Sequence, residues 1–187
     1  MVHMMPTSTL DRERRWYSRA DGRLVFMAAM ALFFGVLIYL IDRPAGSTYF
    51  LASLSLLSNM HGPYFGALGN HIPDFVHPYA FILLTVVFAP WSRRLLAMCI
   101  CWWAIDSFFE IGQHSMVSTR IAAVLPEWFQ KVPVLDGTRD YFLHGTFDPL
   151  DLLAITLGCV AAYFTVRLID RKRLGDTLGT TSCSTHI

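Results

Sequence analysis

The sequence predicts an all-α integral membrane protein, a bundle of four transmembrane helices with both termini cytoplasmic. Three observations carry this. The hydrophobic fraction is 54% and the charged fraction 16%, against about 25% charged in a soluble domain. Four runs match the roughly 17–25 apolar residues that a bilayer-crossing helix needs. Arginine and lysine cluster at the run ends that fall on one side of the bundle.

The first run spans about Leu24 to Ile41, after the basic stretch "RERRWYSRADGR". No small-x-small cleavage site follows it, so it reads as a retained helix. The second runs from about Pro73 to Pro90, with a kink expected at Pro78. The third covers about Leu95 to Gly112. The fourth covers about Pro149 to Ile169 and is expected to stop before "DRKR". Residues 1–23 then form a basic cytoplasmic segment, residues 24–170 the transmembrane domain, and residues 171–187 a disordered cytoplasmic tail.

Orientation follows from the basic residues. Arg12, Arg14, Arg15, Arg19 and Arg23 precede the first helix, Arg93 and Arg94 join the second to the third, and Arg167, Arg171, Lys172 and Arg173 close the fourth. The other two loops hold only Arg43, Arg120, Lys131 and Arg139. The clustered side is the cytoplasmic one. Loops 42–72 and 113–148 therefore face outward. Within them, "STYFLASLSLLSNM" and "STRIAAVLPEWFQKV" are apolar and aromatic enough to be interfacial or re-entrant, the second with Ser118 as a helix cap.

Topology gathers the polar residues. Asp74 and His77 open the second helix, Glu110, Gln113 and His114 end the third, and Asp148 and Asp151 open the fourth. All fall at the outward end. Residues three or four apart share a helix face, so Asp106, Glu110, Gln113 and His114 form one stripe. Asp106 lies roughly 9 Å inward of Gly112 at 1.5 Å per residue, near the membrane midplane. An aspartate there costs about 2.5–3.5 kcal/mol and faces the bundle or a wet cavity.

Some of these residues also have a structural reading. In "FDPLDLL", Asp148 and Asp151 suit the start of a helix as cap and first-turn acid. Asp74 sits in a similar helix-start sequence. Glu110 does not fit this reading, because a negative charge is unfavourable near a helix C-terminus. The candidate catalytic residues are therefore Glu110, Asp106 and Asp151. Gln113, Asp74, His77, Asp148 and His114 are candidate ligand-binding residues. His61, His71 and His144 read as ordinary loop or interface residues, a reading that His114 also allows.

Several function classes lack their signatures. There is no glycine-rich phosphate loop and no basic-aromatic surface for nucleic acid. No helix interior carries a histidine for haem, and the outward loops lack the cysteines of quinone–disulfide chemistry. Cys99, Cys101 and Cys159 fall in apolar runs and read as packing. Four crossings without an inverted repeat argue against a complete transporter. His, Asp and Glu at one level suit zinc or calcium, although no HExxH-like spacing is present, so metal and cofactor stay open.

Three segments, "GNHIPDFVHPYAFILLTVVF", "WWAIDSFFEIGQ" and "GTFDPLDLLAITLG", resemble the VanZ-like family of small integral membrane proteins. The matching features are an acid and a histidine opening one helix (Asp74, His77), an E-x-x-Q ending the next (Glu110, Gln113), and an Asp-rich start with a downstream glycine in the last (Asp148, Asp151, Gly158). The likeness covers about residues 70–160. Phe75 and Ile155 depart from it, standing where the pattern has lysine and asparagine. The resemblance implies a multi-pass protein of the bacterial cytoplasmic (inner) membrane with a role in the envelope and in glycopeptide-antibiotic resistance, and it assigns no reaction. Three readings follow: a pocket at the outer leaflet that binds or modifies a lipid-linked or glycan ligand, a membrane-embedded and metal-assisted hydrolase, or a non-catalytic partner of another membrane protein.

Overall fold

The computed structural model describes residues 22–42, 64–88, 94–133 and 135–182. Among them are six α-helices and no strand: α1 (Gly22–Asp42), α2 (Gly66–Phe88), α3 (Leu95–Gly112), α4 (Ser115–Val124), α5 (Thr138–His144) and α6 (Pro149–Ser182), with a 3-10 helix at Glu127–Lys131. Helices α1, α2 and α3 and the Pro149–Lys172 part of α6 are each long and apolar enough to cross a membrane. This is the architecture of a multi-pass membrane protein. The expected segment "STYFLASLSLLSNM" and residues 1–21 of the basic segment 1–23 lie outside the described residues.

Helix α2 packs between α1 and α6, and α6 also lies against α3. One half of the bundle is a dry core. Leu24 and Ala28 of α1 meet Ala80, Ile82 and Leu83 of α2, Leu95 and Cys99 of α3, and Cys159, Ala162 and Val166 of α6. Outward faces carry Phe26, Phe33, Ile100, Phe108, Leu157 and Phe164, all exposed. Apolar side chains on the outer surface of a helical bundle are what hydrocarbon surroundings require. Of the cysteines in the apolar runs, Cys99 and Cys159 are buried and Cys101 is exposed.

Neighbouring tryptophans tie α3 to both partners. Trp102 Nε1 donates to Thr85 Oγ1 at 3.0 Å, and Trp103 Nε1 donates to Thr156 Oγ1 at 3.0 Å. Each threonine hydroxyl in turn donates to a carbonyl one turn back, Phe81 or Leu152. The indole and hydroxyl groups are thus satisfied inside the apolar layer, where an unpaired one would be costly.

Three boundaries differ from the sequence expectation. First, α2 begins at Gly66, so Pro73 and Pro78 are both interior. Its start is held from outside the local sequence. Asp42, at the end of α1, accepts the Phe65 N–H at 3.1 Å. Gly66 then turns the chain with φ 55°, a conformation costly for other residues. Asp42 would be unfavourable at the C-terminus of its own helix, but the positive end of α2 compensates. Replacing Asp42 with alanine removes this remote cap. The expected loss is about 1 kcal/mol, a fall of roughly 2–4 °C in the thermal midpoint of purified protein.

Second, α6 does not end before "DRKR" but runs to Ser182, through part of the tail expected to be disordered. No proline interrupts that stretch, and extending an existing helix avoids the nucleation penalty. Third, Ser118 is not a cap. It is buried within α4, and His114 caps that helix by accepting the Met116 N–H through Nδ1 at 3.4 Å.

Candidate functional site

The end of the bundle opposite the dry core holds a cleft of about 880 Å³. Its inner end is apolar, with Leu32 of α1, Trp102 of α3 and Ile155 of α6 among the lining residues. Its upper wall is polar, with Asn70, His71, Asp74 and His77 of α2, Asp106, Glu110 and Gln113 of α3, and Asp148 and Asp151 at the start of α6. Thr138, Tyr141 and His144 of α5 close part of its mouth. From Gln113 to Asp106 the polar wall runs about 10 Å down α3 at 1.5 Å per residue.

Each carboxylate has a defined setting. Asp106 is buried, and both its oxygens lie 3.1 Å from His77 Nδ1. His77 is half-exposed toward the cleft. Its ring rests on Phe81, centroids 4.4 Å apart, with Trp102 edge-on at 6.0 Å. The aspartate placed deepest in the apolar layer therefore has a hydrogen-bonding partner, as such residues require. A buried carboxylate behind an imidazole also fixes the ring's orientation and tautomer.

Glu110 is buried at 4% exposure. Its Oε1 accepts the Asp148 N–H at 2.8 Å, and Gln113 Nε2 donates to its Oε2 at 3.4 Å. Glu110 thus sits at the positive end of α6, which offsets its unfavourable place at the end of α3. Asp148 caps α6, its Oδ1 accepting the Leu150 N–H at 2.9 Å. Asp151, one turn on, lies 2.5 Å from His71 Nδ1.

The cleft therefore brings together seven of the eight residues singled out from sequence: Glu110, Asp106, Asp151, Gln113, Asp74, His77 and Asp148. His114 is outside its lining, occupied with the α4 cap and with its ring against Phe147. His71 and His144, read from sequence as ordinary, do line it. A signal for His71 exists in the sequence. His71, Asp74 and His77 recur every three residues, which keeps them within about a third of a turn of one another on a helix. Starting α2 at Pro73 left His71 off that face.

Fold and site together define a multi-pass helical membrane protein with an acidic, histidine-bearing cleft at one end of its bundle. The chain matches no family model, no curated protein and no solved structure.

Proposed function

We propose that the protein binds, at the outward end of its bundle, a lipid-linked ligand whose headgroup bears hydroxyl or glycan chemistry. The observation that carries this is a cleft between spanning helices that sets five carboxylates beside apolar side chains such as Leu32, Trp102 and Ile155. An amphipathic molecule matches both parts at once. The charge of the wall narrows the headgroup. Asp74, Asp106, Glu110, Asp148 and Asp151 line the cleft, with no lysine or arginine among its described lining residues. Such a wall repels a bare phosphate and accepts hydrogen bonds from hydroxyl or amine donors. The basic clusters of the sequence support an outward opening. The VanZ-like resemblance supports a bacterial inner-membrane setting and an envelope role.

The test is binding of a lipid-linked glycan to purified protein, measured by native mass spectrometry against the same lipid carrying only a phosphate headgroup. The glycan lipid is expected to be retained. Asp74→Asn together with Asp106→Asn is expected to weaken it about 10–100-fold, the scale of lost hydrogen bonds to charged groups. Equal retention of both lipids, or unchanged affinity in the double variant, overturns the reading.

A second reading is hydrolysis of that ligand. It is favoured by His77, open to the cleft with Asp106 behind it, which is the arrangement of a general base with its orienting carboxylate. Under this reading, released product appears with wild-type protein and is lost with His77→Gln while the lipid still binds. Without product, the protein is a binder.

A further inference from the structure

We infer that His71, Asp148 and Asp151 bind one divalent transition-metal ion at the mouth of the cleft. Each offers one donor atom, and all these atoms lie within 4.8 Å of one another. They come from two places, His71 from α2 and the two aspartates from the cap and first turn of α6. The inference does not depend on what organic ligand the cleft takes.

Capping accounts for only part of this arrangement. Asp148 uses Oδ1 on the Leu150 N–H, and a cap needs no more than that. It gives no reason for a histidine 80 residues away to meet Asp151. Both carboxylates suit a helix start, yet they crowd together with His71 in a cleft whose described lining has no lysine or arginine. Like charges at this separation oppose each other. A divalent cation neutralises both. The positive end of α6 opposes a cation with only about half an elementary charge, less than the two full charges the carboxylates supply.

The donor set indicates the kind of ion. Imidazole favours zinc and its transition-series neighbours, whereas calcium and magnesium take all-oxygen shells. An ion about 2.0–2.2 Å from each donor requires the close His71–Asp151 contact to open slightly and the widest separation to close. With three protein donors, a fourth position is left on the cleft side, the layout of an open rather than a closed metal site.

The test uses full-length protein in detergent, stripped with chelator and titrated calorimetrically with Zn²⁺, Mn²⁺ and Ca²⁺. One Zn²⁺ or Mn²⁺ per chain is expected, with Ca²⁺ much weaker. Asp151→Asn and His71→Gln are each expected to weaken binding tenfold or more, a loss already seen when only a residue supporting a ligand is removed. Asp140→Asn, on an exposed residue of α5, is expected to bind as wild type. X-ray absorption of the zinc-loaded wild type needs no variant and is expected to show imidazole scattering from one histidine. No stoichiometric ion, binding of Ca²⁺ alone, full affinity in both ligand variants, or a zinc shell without imidazole would each overturn the inference.

Discussion

Gly158→Ala is expected to lower the thermal midpoint of the purified protein by about 6–12 °C. A Cβ at this position would land on the carbonyl oxygen of Phe75 and come within 3.1 Å of Pro78 Cγ. Neither neighbour can step aside. The carbonyl belongs to the α2 backbone, and Pro78 is among the most deeply buried side chains. The two helices must therefore separate. Overpacking of this kind costs about 1–3 kcal/mol, and a rigid backbone contact belongs at the upper end. About 3 kcal/mol translates to that shift for a chain of this size. The damage should also reach the cleft. Helices α2 and α6 carry the His71–Asp151 pair, so parting them is expected to weaken ion binding as well. Leu157→Ala is the control. Leu157 is the neighbouring residue but 51% exposed, and its truncation is expected to stay within about 0.5 kcal/mol. An unchanged midpoint for Gly158→Ala would mean that the α2–α6 approach is not as close as described.

What was legible in the sequence depended on whether the controlling interaction was local. The bounds of α3 agree, because the stretch from Leu95 to Gly112 is apolar enough to become a spanning helix even with Asp106 and Glu110 in it. The stripe of Asp106, Glu110 and Gln113 was legible for the same reason, since helical period alone puts them on one face. The start of α2 was not. A proline in an apolar run usually marks a first turn, but here the cap is a carboxylate 23 residues upstream, which accepts the Phe65 N–H. Spacing along α2 carries no trace of that tie. The same error hid His71, whose partner Asp151 is 80 residues away. Glu110 was legible as unusual but not as explained. Its misfit with its own helix end was visible, whereas its place at the start of α6 is a tertiary fact.

Glu110→Ala and Glu110→Gln are expected to separate two roles of one carboxylate. As an acceptor, Oε1 holds the Asp148 N–H at 2.8 Å, joining the end of α3 to the start of α6. Alanine removes the acceptor and leaves a partly buried amide and the Gln113 side chain without that partner. The expected cost is about 1–3 kcal/mol, read as a midpoint roughly 4–8 °C lower near the middle of that range. Glutamine keeps an oxygen that can accept from Asp148, so it should stay within about 1 kcal/mol of wild type. What glutamine loses is the charge, and with it the attraction to donors of a headgroup in the cleft. The lipid-linked glycan is therefore expected to bind at least tenfold more weakly to Glu110→Gln, while the zinc stoichiometry stays at one because Glu110 is not among the three donors. If glutamine destabilises as much as alanine, the charge serves the positive end of α6 and its role is structural. If glutamine is stable and binds the glycan lipid as wild type does, Glu110 is only a strut between two helices, and recognition must rest on Asp74, Asp106 and the histidines. A stable Glu110→Gln protein that has lost the ligand but kept its metal would assign this carboxylate to recognition, separately from both the fold and the ion.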